Sequence, residues 1–278
     1  MKSVTFRTLP APEILRPYVE CYAVAEYPGS EALEITMCPS GLPGIVFQHN
    51  QGRSALESVI SPSGLNSSAP TLFIYGQKTG PNRIHHKQGP STMTQVIFKP
   101  HALKTVFGMN ASALTNWSVD LHEFSTEDLG GQLIESKSVQ ERIDLLTDFL
   151  LAKLKHTEMS DRLVEESLHL IHKTIGSITV ASLLTHIHLS ERQFERRFRQ
   201  TVGLSPHAYI RLKRFNEAMR LIKTGQFQRL TEVAYALNYS DQSHFIRDMR
   251  ALSGMTPKSL SQKEEAFYGQ AGYSYLST

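Results

Sequence analysis

Short apolar segments separated by turn-forming residues fill the first third of the chain. Gly, Pro, Ser or Asn residues interrupt them at regular intervals. This pattern predicts short strands and is typical of an antiparallel barrel or sandwich. The predicted strands lie within residues 18–26, 32–38, 44–50, 58–60, 71–76 and 93–100.

A helical pattern replaces this alternation after residue 100. Residues 101–108 predict a short helix, and residues 139–155 carry apolar residues at intervals of three to four. The apolar stripe of the longer helix must be buried, either against the barrel or at a dimer seam. Its members are Val139, Ile143, Leu146, Leu150 and Leu154.

Another helix, over residues 159–175, is expected to open a second domain that is entirely helical. Ser160 and Asp161 stand near its start, and Gly176 follows its end. The predicted fold class is therefore α+β. An N-terminal β-rich domain with helices is expected over residues 1–157, and a helical domain over residues 158–278.

The C-terminal region contains two copies of a helix-turn-helix pattern. In the first copy, Thr179 is the expected cap of a helix over residues 180–187, and Ser190 is the expected cap of the next helix. In the second copy, Thr231 is the expected cap, and the second helix begins near Asp241. The residues expected to face the core are Phe194, Phe198, Phe245 and Met249.

The two copies are offset by 50 residues in their first helices and by 51 in their second, which predicts a longer second turn. Between them, residues 206–223 predict one continuous helix. Such a helix would hold the two modules at a fixed separation.

Charge is concentrated in this region. Residues 190–258 contain 13 Lys and Arg against 6 Asp and Glu, whereas the net charge of the whole chain is only +3. A basic region on a mildly acidic body indicates nucleic-acid binding. No apolar run approaches the roughly 20 residues that cross a bilayer, and no signal peptide is evident. We therefore expect a cytoplasmic protein without a membrane partner.

A catalytic metal in the barrel is not expected. His85 and His86 are adjacent, so on a strand they point to opposite faces, and His49 and His101 have no nearby ligand. We predict no metal, no cofactor and no catalytic residue. A cavity for a metal-free ligand remains open as a hypothesis. Its candidate lining residues are Tyr18, Glu20, Tyr22, His49, Tyr75 and Arg83.

Residues 233–247, VAYALNYSDQSHFIR, and residues 254–257, GMTP, resemble the signature of the AraC/XylS family of bacterial transcription regulators. The resemblance covers residues 160–262. The segments PYVECY and CPSGLPGIVF, at residues 17–22 and 38–47, also resemble the cupin-like sensor region of relatives of this family. The resemblance implies a cupin-like barrel followed by two helix-turn-helix modules.

One departure from the family concerns the turns. The family commonly has Gly in the turn of each module, where this chain has His188 and Asn238. His and Asn are among the residues that best tolerate a positive φ, so we expect both turns to form.

The resemblance places the second helix of each module in the major groove of double-stranded DNA. There Arg reads guanine, Gln reads adenine and an apolar side chain contacts the thymine methyl. The implied base-reading residues are Arg192, Glu195, Arg196, Gln242, Ser243, Ile246 and Arg247. The implied phosphate contacts are Arg197, Arg199, Lys213, Arg214 and Arg250.

The leading hypothesis is a sequence-specific transcription regulator whose N-terminal domain senses a small molecule or forms a homodimer, with RNA polymerase as a further partner. One alternative is a cupin-type enzyme fused to a DNA-binding domain, which stoichiometric metal would favour. Another is an architectural DNA-binding protein whose stability depends on no metabolite.

Overall fold

The computed structural model describes residues 4–29, 31–66, 69–124, 128–155, 160–225, 227, 229–262, 266–268 and 274–277. A β-rich part comes first and a helical part follows, which confirms the predicted α+β class. The strands are β1 (Thr5–Pro10), β2 (Val19–Tyr27), β3 (Leu33–Met37), β4 (Gly44–His49), β5 (Leu56–Ser61), β6 (Gly64–Asn66), β7 (Leu72–Tyr75), β8 (Asn82–His86), β9 (Ser91–Phe98), β10 (Ser118–Asp120), β11 (Ala266–Tyr268) and β12 (Ser274–Ser277).

The helices begin after β9. They are α1 (Ala102–Phe107), α2 (Leu129–Glu135), α3 (Val139–Leu154), α4 (Arg162–Lys173), α5 (Val180–Leu184), α6 (Glu191–Val202), α7 (Pro206–Thr224), α8 (Leu230–Ala236), α9 (Gln242–Ser253) and α10 (Pro257–Gln262). Short 3-10 turns lie at Glu13–Leu15, Ala111–Leu114 and Leu121–Phe124. No helix among the described residues combines the length and apolar character needed to cross a membrane.

The strands form two antiparallel sheets. The first has the order β1-β2-β9-β4-β7-β10, and the second has the order β11-β12-β3-β8-β5-β6. Strands β11 and β12, from the C-terminal end, join the second sheet through the pairing of β12 with β3, so the prediction that the second domain is entirely helical is wrong for these residues. Side chains from both sheets meet between them, as Val46 and Phe73 do with Leu56 and Ile84. The sequence pattern did not predict β1 or β8, because β1 is half exposed and β8 carries polar residues.

The first sheet is covered on both of its faces, which explains the continuous apolar runs of its inner strands. Ile45 and Ile74 belong to the core shared with α1 and α3, while Val46 and Phe73 face the second sheet. The buried stripe of α3 lies in the same core as Ile45. The apolar stripe of α3 therefore packs on the first sheet of the N-terminal part, which agrees with the hypothesis of burial against the β-rich domain.

The helical part has one core that both modules share with α7. The four residues expected to face the core are 0% exposed, namely Phe194, Phe198, Phe245 and Met249. Two boundaries differ from the prediction. Helix α5 ends at Leu184, and α8 begins at Leu230, so Thr231 lies within its first turn and is not the cap. The Glu232 carboxylate accepts a hydrogen bond from the backbone N–H of Arg229 at this helix start, 3.4 Å away.

The two parts of the molecule touch along α7 and the end of α6. The Asn216 amide donates to the carbonyl oxygen of Ser40 at 2.9 Å, and the Thr115 hydroxyl donates to that of Gly203 at 2.6 Å. Gly41 has a φ of +81°, and a Cβ at this position would lie 3.3 Å from the ring of Tyr209. A glycine is therefore required here both by its backbone conformation and by the close approach of α7.

Candidate nucleic-acid interface

Helix α6 presents a basic face because its other face is anchored in the core. The Ser190 side chain accepts a hydrogen bond from the backbone of Gln193, whose own side chain accepts one from the backbone of Ser190. This capping box fixes where the helix starts and which residues point inward. The outward residues predicted to read bases, Arg192, Glu195 and Arg196, are all exposed.

Helix α9 is built in the same way with a different cap. The Asp241 carboxylate accepts a hydrogen bond from the backbone N–H of His244 at 2.7 Å, and this bond holds the pKa of Asp241 below its usual value. The predicted readers Gln242, Ser243 and Arg247 are exposed, and Ile246 is half-exposed.

Both reading helices, α6 and α9, end in the same way. Gly203 and Gly254 cap them in the left-handed region, and their N–H groups donate to the carbonyl oxygens of Arg199 and Arg250. A residue without a Cβ meets no steric penalty in this conformation. The sequence repeat therefore corresponds to a repeat of local structure from cap to cap.

The turns before the reading helices differ. Asn238 adopts a φ of +56°, whereas His188 is not among the residues with positive φ. The first turn runs over residues 185–190 and the second over residues 237–241, so the first has one more residue in which to reverse direction. Only the second turn uses the tolerance of positive φ expected from the sequence, and the expectation of a longer second turn is corrected.

Several of the predicted phosphate-binding side chains have partners within the protein. Arg197 forms a two-pronged ion pair with Asp161, both bonds being 2.9 Å long. Arg199 pairs with Glu195 on the same helix at 2.9 Å. Arg214 donates to the carbonyl oxygen of Ile178 at 2.7 Å.

Lys213 and Arg250, the other predicted phosphate contacts, have different surroundings. Lys213 lies beside Gly41 at the contact with the N-terminal part, and burial lowers the pKa of its amine. Arg250 is exposed near the end of α9. The roles of these residues toward DNA stay predictions.

An ion pair that the sequence did not predict fixes α9 to α7. The Asp248 side chain is 7% exposed, and Arg211 Nε donates to its Oδ1 at 2.8 Å. His244 Nε2 lies 3.7 Å from the other carboxylate oxygen. The partner of Asp248 is 37 residues distant in the chain, so no local pattern indicates the pair.

The six residues proposed to line a ligand cavity do not come together. A cavity of about 100 Å³ lies between the two sheets, and Tyr75 alone of the six lines it. Tyr22 is fully buried on the other side of the first sheet, where its hydroxyl lies 2.7 Å from that of Thr147. His49 lies at a separate cleft beside Arg142. Tyr18 is half-buried, and Glu20 and Arg83 are exposed.

Polar residues outside that set of six also line this cavity. They include Lys78, Asn82, His86 and Gln95. Lys78 lies in a loop and the others on strands of two different sheets, so only the tertiary structure brings them together. Among the residues described, no group of three His, Cys, Asp or Glu side chains is placed to hold a metal.

Two family models match the chain. A helix-turn-helix domain matches residues 183–263, and a domain of unknown function matches residues 7–120. The first match contains both reading helices.

Curated relatives match the chain over different lengths. The probable transcriptional regulator LumQ of Photobacterium leiognathi is 38% identical over 80 residues, which are 29% of this chain and 32% of that protein. The chain thus spans about a third of the length of this relative. The arabinose operon regulatory protein of Escherichia coli (strain K12) is 26% identical over 226 residues, which are 75% of this chain and 74% of that protein.

Among solved structures, ToxT from Vibrio cholerae O395 is similar with a TM-score of 0.48 and 12% identity. The match covers 86% of this chain and 96% of ToxT.

Proposed function

We propose that this chain, which belongs by its C-terminal domain to the AraC family of transcription regulators, is a sequence-specific DNA-binding regulator. One observation carries the proposal. Two capped helices, α6 and α9, share a core with the connecting helix α7 and turn polar, Arg-bearing faces outward. A rigid pair of this kind can read two neighbouring segments of the major groove.

The outward faces of α6 and α9 carry both matching and differing side chains at corresponding positions. Arg196 and Arg247 occupy corresponding exposed positions and are the proposed guanine readers. Glu195 and Ile246 also correspond, and they offer an acceptor for cytosine and an apolar contact for a thymine methyl, respectively. The two modules are therefore proposed to read different bases, which gives the binding site a direction.

The N-terminal part is proposed to be the regulatory part, as a cupin-like barrel that binds a small molecule. Its support is the cavity between the two sheets. The proposal divides the chain at residue 157, because the two sides of this point have largely separate cores. Homodimerisation, a contact with RNA polymerase and a cytoplasmic location belong to the same proposal. Its relatives are named as regulators, and no enzymatic role is proposed.

The DNA-binding proposal is tested by selecting bound sequences from a random DNA pool and measuring the affinity of the selected duplex by fluorescence anisotropy. Arg196→Ala and Arg247→Ala should each weaken binding by about 1–3 kcal/mol and relax the base preference at a different position. Arg7→Ala, which removes an exposed arginine on the barrel, is the matched control and should have no effect. Unchanged affinity in both reading variants would contradict the docking model.

A further inference from the structure

The cavity between the two sheets has mainly apolar walls. Its volume is about 100 Å³, less than the roughly 150 Å³ of a cavity that accommodates benzene. A ligand that fits without rearrangement is therefore limited to a few non-hydrogen atoms, about the size of a short-chain acid. The apolar walls come from Met37, Val46, Leu56, Val59, Phe73, Ile84 and Met93.

Several polar groups of this cavity have unmet hydrogen-bonding capacity. Asn82 Oδ1, His86 Nδ1 and Gln95 Oε1 are buried and have no hydrogen-bond partner among the residues that the structure describes. A buried polar atom without a partner destabilises the fold by about 1–3 kcal/mol. Such groups occur together where a ligand or ordered water completes the hydrogen bonding.

The cavity also contains a cation without an acidic partner. Lys78 Nζ donates to the carbonyl oxygen of Trp117 at 3.2 Å, and no carboxylate among the described residues pairs with it. Burial lowers the pKa of Lys78 to about 8, because desolvation disfavours the ammonium. An anionic group beside this nitrogen would restore the charge balance. The complementary ligand has a small apolar body and one acidic group.

The loop that carries Lys78 also reaches the ends of both reading helices. A Cβ on Gly203, the C-terminal cap of α6, would lie 3.2 Å from Gln77 Cγ. A Cβ on Gly254, the corresponding cap of α9, would lie 3.9 Å from Pro81 Cγ. Gln77 also donates to the carbonyl oxygen of Gly41 at 3.0 Å, in the loop that packs on α7.

We propose that this cavity binds a small organic acid whose acidic group pairs with Lys78, and that residues 77–81 couple its binding to the positions of both reading helices. The acid site stands on the geometry of the cavity alone. The coupling rests on the proposed function, because it requires that α6 and α9 bind DNA. A shift of one loop would alter both modules together, since that loop contacts the ends of both helices.

The ligand class is tested by calorimetric titration of the full chain with acetate, propionate and butyrate, each compared with its neutral amide. The acid of at least one pair should bind about tenfold or more tightly than its amide, because only the acid forms a charge-assisted hydrogen bond with Lys78. Equal binding or no binding across all three pairs would overturn the assignment.

Variants of Lys78 test its role directly. Lys78→Met should abolish the preference for the acid, and Lys78→Arg should retain it because the charge is kept. Lys87→Met is the matched control, since Lys87 on the same barrel donates to the carbonyl oxygen of Ser54 at 3.1 Å but does not line the cavity. Melting temperatures without ligand show that each variant folds. A preference that survives in folded Lys78→Met would overturn the assignment.

The coupling is tested on the selected DNA duplex with and without the acid that binds best. Saturating acid should change DNA affinity about fivefold or more in the unmodified chain. Gln77→Ala should bind the acid normally and show a smaller change. Unchanged DNA affinity on acid binding would overturn the coupling. Failure to select any DNA would overturn the proposed function and the coupling, while the titrations would still decide the acid site.

Discussion

The two reading helices have the same design and different neighbours. The end of α6 is held by the N-terminal part, because the Thr115 hydroxyl bonds to the carbonyl oxygen of Gly203. Helix α9 is held mainly from within its own domain by the ion pair between Asp248 and Arg211. A duplicated sequence therefore specifies a duplicated helix, but it does not specify what fixes each helix in place.

The difference has a consequence for regulation. A change in the N-terminal part reaches α6 through a direct hydrogen bond, whereas it reaches α9 through the packing of Pro81 near Gly254. Asn110 and Ser112 of the N-terminal part also line a cleft of about 620 Å³ together with the reading face of α6. The first module therefore makes the more direct contacts with the N-terminal part, and a change there affects it more than the second module.

The largest expected effects test whether the two modules are anchored equally in their shared core. Phe194→Ala and Phe245→Ala should each destabilise the chain by about 3–5 kcal/mol, because both rings are fully buried. Urea unfolding followed by circular dichroism measures the loss. Tyr235→Ala, at a site that is 75% exposed, is the control and should have little effect. A loss below about 1 kcal/mol in either phenylalanine variant would show that the modules are not built alike.

The next effect compares the stability contributed by the buried ion pair of Asp248 with that of the exposed ion pair of Glu195. Asp248→Asn should destabilise the chain by roughly 1–2 kcal/mol, since it breaks a buried charged hydrogen bond whose partner, Arg211, can still reach water. Glu195→Gln breaks the exposed pair with Arg199 and should cost less than about 0.5 kcal/mol. The same unfolding measurement compares them, and equal losses would contradict the assigned difference in burial.

A smaller effect tests the direct contact between the two parts. Thr115→Val keeps the shape of the side chain and removes the donor to Gly203, which should cost about 1 kcal/mol. Hydrogen exchange should quicken at the end of α6 and stay unchanged at the end of α9. Thr224→Val, whose hydroxyl bonds within α7, is the control that should spare both ends. Equal acceleration in both helices would remove the proposed asymmetry.

The smallest effect distinguishes the two turns. Asn238→Gly should change stability by less than about 0.5 kcal/mol, because glycine accepts the observed positive φ without strain. His188→Gly should destabilise by about 0.5–1 kcal/mol, because the backbone there needs no positive φ and glycine adds unfolded-state entropy. Thermal unfolding measures the loss of stability in each variant. If the first turn were the strained one, His188→Gly would lose less stability than Asn238→Gly.

Local patterns predicted much of the fold. The spacing of apolar residues gave the phases of α3, α6, α7 and α9, and the caps Ser190 and Asp241 were predicted correctly. Short segments with mixed polarity were harder to predict. The start of α8 was misplaced, because Thr231 is a good cap by residue type although the chain turns two residues earlier.

The candidate ligand site was far less predictable. Residues were chosen on the sheet for their polarity or aromatic ring, yet a strand sends alternate side chains to opposite faces, and only the packing of the sheets shows which face is enclosed. Tyr22 therefore belongs to the core beneath α3, and Lys78 enters the cavity from a loop that carried no recognisable signal.

The sequence by itself determined the main helices, the caps of both reading helices, the duplicated modules and the basic faces, because these depend on residues within one or two helical turns of each other. The tertiary structure decided which arginines have carboxylate or carbonyl partners, which polar residues share a cavity, and how each module contacts the N-terminal part. These properties depend on residues far apart in the chain, as Arg211 and Asp248 are. Such pairs become neighbours only when the sheets and helices pack, so the spacing of residues along the sequence does not predict them.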